Sequence, residues 1–298
     1  MSCASVNRAS GTRQLPTPAD GWRPIRRLAV ADLADCIELT LDRGWLAEEL
    51  KWRLMLTISE VYGVDDPAGG LAGAVGLTRY GDDLAAVGML LVATACSRQG
   101  LGRRLMRHVL DQAAGAVVCL YATAMGLPLY QQLGFQTVEV ATRYTGLVAP
   151  GAAAASPRPA GLRAVQAADI SSVLAADAAA FGAPRAALLA ELAGAADVFL
   201  ACGDPAAAYG AVWGGDDLKV IGPVVASEAA TVPGLLDALV AGRPGPVRID
   251  VSSRHPQVAS WARARGLASG VSAALMTYGG PLPGDRSRLY APANVALG

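Results

Sequence analysis

Residues Val87 to Met106 constrain the fold more than any other stretch of this 298-residue chain. An apolar run, Val87-Gly88-Met89-Leu90-Leu91-Val92, passes through a short turn into Arg98-Gln99-Gly100-Leu101-Gly102 and then into an amphipathic helix. Strand, glycine-punctuated turn and helix in that order aim several amides without intrahelical acceptors, and the positive end of the helix, at one spot. That spot is an anion cradle. Arg98, Arg103 and Arg104 around it favour a polyphosphate over a lone carboxylate. Spacing excludes two common phosphate loops. The dinucleotide fingerprint needs a further glycine where Leu105 stands, and a Walker loop needs a lysine, whereas the lysines of this chain are Lys51 and Lys219.

A second segment narrows the reading. Val117 to Thr123 is expected to be a buried strand, and Ala124 to Phe135 a short helix closed by Gly134. The stretch Ser97-Arg98-Gln99-Gly100-Leu101-Gly102 resembles the coenzyme A loop of the GNAT N-acyltransferase superfamily: Arg or Gln, two residues, Gly, one residue, Gly or Ala. Ser97 departs from the first position of that pattern. Tyr130-Gln131-Gln132-Leu133-Gly134-Phe135, after a further helix and strand, is similar to the family's second signature, which a last hairpin over Gln136 to Thr145 would follow.

The chain is long enough for two domains. Leu162-Arg163-Ala164-Val165 echoes Arg27-Leu28-Ala29-Val30, and Trp261 to Gly280 echoes Leu129 to Gly146, so the second half reads as a repeat of the first. In that copy Ser227 to Leu235 lacks a Gly-x-Gly turn, and Ala262 stands where Tyr130 stood. The expected organisation is a leader over 1–20, an active GNAT domain over 21–146, a Pro- and Ala-rich linker over 147–160 and a degenerate GNAT-like domain over 161–298. The fold class implied is α/β, an α+β mixed sheet. Each tandem domain would be a mixed, mostly antiparallel sheet flanked by helices.

Composition excludes several other classes. Hydrophobic residues make up 53% of the chain, but alanine is prominent among them and no large-residue run reaches membrane-spanning length, so no membrane partner is expected. The first twenty residues lack the apolar core of a signal peptide, which points to the cytoplasm. Five cysteines without a Cys-x-x-Cys pair argue against a disulfide framework and a metal site. A formal net charge of zero gives no reason to expect nucleic acid.

The resemblance implies acetyl-CoA or another acyl-CoA as co-substrate and a small-molecule amine as acceptor. It assigns donor binding to Leu90, Leu91, Val92, Ser97, Arg98, Gln99, Gly100, Leu101, Gly102, Arg103, Thr123 and Tyr130, with Tyr130 also the catalytic donor of a proton or hydrogen bond to the sulfur. Three other readings stay open: a non-catalytic acyl-CoA-binding sensor, a transferase fed by carrier-protein phosphopantetheine, and a protein acetyltransferase, which would need an open peptide groove on a side that a tandem second domain would wall off. A homodimer is left open as well. An alkylamine costs about 4–5 kcal/mol to deprotonate at neutral pH, yet Leu84 to Val92 holds no carboxylate; Glu48, Glu49, Glu60, Asp82 and Asp83 are the nearby acids. Trp45 and Trp52 fit either an acceptor pocket or core, and Cys96 lies beside the cradle.

Overall fold

The computed structural model describes residues 21–148, 156–203, 207–215 and 217–298; the expected leader and residues 149–155 of the expected linker lie outside them. The first half runs β1 (Arg26–Arg27), α1 (Leu33–Asp42), α2 (Glu49–Ile58), β2 (Glu60–Asp65), β3 (Leu71–Tyr80) and β4 (Leu84–Val92). It continues through α3 (Leu101–Gln112), β5 (Val117–Ala122), α4 (Leu127–Gln132) and β6 (Gln136–Gly146). The second half repeats the order as β7 (Arg163–Ala164), α5 (Ile170–Phe181), α6 (Ala186–Ala195), β8 (Ala196–Cys202), β9 (Ala208–Gly215) and β10 (Leu218–Ala226). Then come α7 (Val232–Val240), β11 (Val247–Ser252), α8 (Pro256–Ala264), β12 (Ala268–Tyr278) and β13 (Leu289–Ala291).

Local chemistry explains most boundaries. On α3, Leu101, Leu105, Met106 and Val109 are buried at helical spacing, leaving Arg103, Arg104 and Arg107 on the outer side. β3 is buried on both faces, and so reads as a near-continuous apolar run. α2 starts at Glu49 because Glu48, at φ +40°, bars a helical turn before it. The α4 helix is shorter than expected: Pro128 occupies its first turn and Gly134, at φ +95°, ends it.

Thirteen strands form one sheet, in the order β1-β2-β3-β4-β5-β12-β6-β11-β10-β9-β8-β7, with β13 alongside β10. The expected hairpin over Gln136 to Thr145 does not form. That segment is the single strand β6, whose neighbours both come from the second half: Ala141 pairs with Ala273 of β12 on one side and with Ser252 of β11 on the other. β12 in turn lies against β5, Tyr121 opposite Leu275. Each half therefore gives its last long strand to the other. α3 and α4 cover one face of the first half, over a core that includes Val87, Leu105, Leu120, Tyr130 and Phe135. On the opposite face Trp52, Met55, Phe181, Leu192 and Leu297 join one core shared by the two halves. No helix among the described residues is long and apolar enough to cross a membrane.

Candidate acyl-donor site

β4 and β5 run parallel and pair from Leu84–Val117 to Val87–Leu120, where pairing stops. Beyond that point β4 bulges. Ala74 faces Leu91 and Gly76 faces Gly88, so Val75 alone opposes both Met89 and Leu90. Met89 takes φ +50°, a left-handed conformation that costs a β-carbon residue on the order of 1–2 kcal/mol. Leu90 to Val92 thus leave an unpaired backbone edge toward β5, with the Leu91 side chain buried in the shared core and Leu90 and Val92 half-buried on the α3 face.

The turn after β4 closes on itself and points outward. Ser97 donates its hydroxyl to the Ala93 carbonyl at 3.2 Å, so the residue that departs from the family pattern is engaged with the backbone. Arg98 at φ +61° and Gly100 at φ +85° swing the chain into α3, and Arg98, Gln99 and Gly100 are exposed. The Ser97 amide bonds the Thr94 carbonyl at 3.3 Å, and among the described residues the next amide with a backbone acceptor is that of Arg104, bonded to the Gly100 carbonyl at 3.0 Å. Leu101 anchors the helix start in the core. Gly102 sits between α4 and β4 with room to spare: a β-carbon there would lie 3.6 Å from Leu129 and from Val92.

Around this cradle lies a groove of about 440 Å³ lined by Trp22, Gln99, Gly100, Arg103, Arg107 and His108, among others. Arg103 also bonds Gln132 on α4. Burial lowers the pKa of His108, and its Nε2 has no protein partner.

Thr123 ends β5 and its carbonyl accepts the amides of Gly126 and Leu127, each at 3.0 Å, which turns the chain into α4. Tyr130 then lies under Gly126, whose missing β-carbon would otherwise stand 2.8 Å from the ring. Burial pushes the Tyr130 hydroxyl up to about 12, and no group among the described residues bonds it. The hydroxyl therefore stays protonated through the neutral range and is available to donate to an incoming acceptor.

The acids named from sequence are engaged or remote. Glu48 binds Lys51 at 2.9 Å and Arg248 at 3.5 Å, and Glu49 binds Arg53. Glu60 bonds Arg79 and Tyr62; burial opposes ionisation, but these two hydrogen bonds hold its carboxyl below the usual range. Asp82 and Asp83 occupy the β3–β4 turn, at the other end of β4. What sequence reasoning missed is the loop after α1. Asp42 accepts the Thr94 amide at 2.6 Å, beside the end of β4, and Arg43 spans from Thr94 Oγ1 at 3.1 Å to Met125 Sδ at 3.2 Å. Trp52 is core, its indole donating to Thr40 at 2.8 Å, while Trp45 is half-exposed on the same loop. Cys96 is no activated thiol, because burial and the nearby Asp66 both raise its pKa. His255 is satisfied by the Leu289 carbonyl at 3.0 Å.

The corresponding place in the second half is filled. β10 pairs with β11 only at Lys219 and Val220, and the edge beyond is taken by β13, antiparallel at Val224 and Val225. Over the start of α7, the Pro157 carbonyl stands 2.1 Å from where a β-carbon on Gly234 would be.

Models of the acetyltransferase (GNAT) domain match residues 58–137 and, separately, residues 173–291. The N-acetyltransferase YitH of Bacillus subtilis (strain 168), itself uncharacterized, is 28% identical over 261 residues, 84% of this chain and 89% of that protein. Among solved structures, a candidate acetyltransferase from Pyrococcus horikoshii superposes with a TM-score of 0.77 at 19% identity, covering 92% of this chain and 95% of its own. A tandem GNAT protein from the clavulanic acid biosynthesis pathway gives 0.60 at 16% identity, over 87% and 99%.

Proposed function

Because this chain belongs to the GNAT acetyltransferase family and carries two such domains in tandem, we propose that its first half moves an acetyl or other short acyl group from acyl-CoA to the amine of a small molecule. One contrast carries this reading. The strand edge at Leu90 to Val92 and the start of α3 are both open, whereas β13 and Pro157 fill their counterparts. A site kept clear in one copy and plugged in the other is a site in use.

The bound donor supplies a thioester carbonyl and a thiolate leaving group. The amides at Gly100 to Gly102 hold its diphosphate, and Arg103 and Arg107 in the adjoining groove face the charged nucleotide end. The free edge of β4 pairs with the pantetheine amides as an added strand would. The bulge at Met89 turns a backbone amide toward the carbonyl oxygen, where negative charge develops. Tyr130 donates its proton or a hydrogen bond to the departing sulfur. Asp42 offers its second carboxylate oxygen, at the rim, as acceptor for the amine proton.

A second reading has its own observation: of the acids first considered, Glu48, Glu49 and Glu60 are neutralised by Lys51, Arg248, Arg53 and Arg79, and Asp82 and Asp83 lie at the far end of β4, which suits an acyl-CoA sensor. Thiol release from acetyl-CoA across a panel of amines, run beside calorimetry with coenzyme A, decides between them. Binding with turnover supports the transferase. Binding without turnover of any amine supports the sensor, and absence of binding removes both.

A further inference from the structure

On the face of the sheet opposite α3, a cavity of about 860 Å³ is lined by Gln136, Thr137, Arg254, Thr277 and Arg286, among others, a size suited to a small ligand. Arg286 is the unusual member. Only 9% of it is exposed, and among the described residues its Nε has no partner and its one hydrogen bond runs from Nη2 to the Tyr121 hydroxyl at 3.4 Å. Most surrounding charges are matched: Arg254 with Glu139, Arg143 and Arg248 with Asp250, Arg185 with Asp177, and Asp285 accepts from Ser287, while Arg288, which is half-buried and outside the cavity lining, also has an Nε without a partner among the described residues. Among the described residues no carboxylate pairs with Arg286. A buried guanidinium without a counter-ion is costly unless something anionic joins it.

Tyr121 ties this point to the proposed chemistry. It follows Leu120, the last β5 residue paired with β4, so its backbone stands where the two strands part. Its side chain packs into the core shared with α1 and α2, on the acceptor side of the sheet, away from Tyr130. We propose that Arg286, with the Tyr121 hydroxyl, binds a carboxylate of the acceptor, so that the acceptor class is a carboxylate-bearing amine. This rests on the transferase reading given above. One guanidinium and one hydroxyl offer planar donors and a single positive charge, a match for a carboxylate and not for a phosphate dianion.

The test pairs each of several amino acids with its carboxamide as acceptors for acetyl-CoA, and titrates sodium succinate and inorganic phosphate into the full-length protein by calorimetry. Wild type is expected to favour acids over amides in kcat/KM by at least about tenfold, and Arg286→Gln to collapse that ratio mainly through KM. Arg286→Lys retains part of it. Succinate binding should fall at least about tenfold in Arg286→Gln and exceed phosphate binding in wild type, with circular dichroism confirming that both variants fold. Amides used as well as acids, or phosphate bound in preference to succinate, overturns the proposal. Coenzyme A binding intact while the substitution leaves succinate affinity unchanged overturns it alone; loss of succinate binding in a protein that never binds coenzyme A overturns the acceptor assignment together with the transferase reading.

Discussion

Gly100 takes φ +85° and needs glycine for its backbone, whereas Gly102 lies inside the first turn of α3 and has ordinary space for a β-carbon, 3.6 Å from Leu129 and Val92. On the proposed reading the second is small to leave room for the donor, so substitutions there separate stability from binding. Gly102→Ala should hold or raise the melting temperature, since alanine favours a helix over glycine by about 0.5–1 kcal/mol. Coenzyme A affinity measured by calorimetry should stay within about threefold, because the family pattern admits alanine at this position, whereas a side chain as large as tryptophan there should abolish it. Tyr130 admits a parallel separation. Removing its hydroxyl in Tyr130→Phe leaves the ring packed on Phe135, so coenzyme A binding is expected to persist while kcat falls on the order of 10²-fold. Its raised pKa, about 12, keeps the donor form present at every pH below that value. The kcat profile should therefore show no alkaline loss from this group between pH 7 and 10 (about the span of a working assay); a limb that disappears in Tyr130→Phe would show that the hydroxyl titrates there and overturn its raised pKa, whereas an unchanged kcat in Tyr130→Phe would remove it as the donor. Both glycines stand out in the sequence by residue type and spacing, and Tyr130 through the family resemblance. Met89 does not, because nothing about a methionine in an apolar run announces a positive φ; the bulge arises from pairing with β3, which a linear reading does not contain.

At the scale of elements, the two halves use one plan with opposite results. In the first, β4 leaves β5 after Val87 and none of the described strands replaces it. In the second, β10 leaves β11 after Val220 and β13 supplies the missing partner, while Ser156 to Pro159 lie over α7, the Ser156 amide held by Asp237 at 3.0 Å. The missing Gly-x-Gly turn was readable in Ser227 to Leu235. That the vacated groove had been rebuilt with the chain's own backbone was not, because the three residues of β13 carry no alternation long enough to mark a strand. The consequence is a stoichiometry. Calorimetry with coenzyme A should give one site per chain, and Gly102→Trp, which fills the first-half cradle, should leave none; two sites, or one that survives the substitution, would assign binding to the second half. The loop after α1 works at this scale too, since Asp42 and Arg43 fasten it to the turn beyond β4 through Thr94, and its sequence, Leu-Asp-Arg-Gly-Trp, gave no hint of that docking.

For the whole molecule the exchanged strands matter most. The repeat was visible in sequence, and a boundary near Gly146 separates the two copies along the chain, but the sheet does not break there. β12 sits between β5 and β6, and β6 pairs with β11 from Ala141 to Gly146, so each copy's sheet contains a strand of the other. Charge reinforces the join: buried Arg248 on β11 contacts Glu48 at the start of α2 and Asp250 on its own strand. The segment after β13 spans both halves as well, with the Leu297 carbonyl accepting from Tyr80 and the Ala293 carbonyl from Trp213. Sequence periodicity reports each strand's own pattern and not the neighbour it chooses, which is why Gln136 to Thr145 read as a local hairpin. Residues 1–146 made alone would lack β12 and leave long strand edges unpaired, a condition that favours aggregation. That fragment is therefore expected to elute as aggregate or to show no cooperative melt, and residues 147–298 likewise. Co-expression of the two should recover a one-to-one complex on size exclusion with coenzyme A affinity within about threefold of the intact chain, whereas a first half that folds and binds coenzyme A by itself would show that the exchanged strand is dispensable to the site.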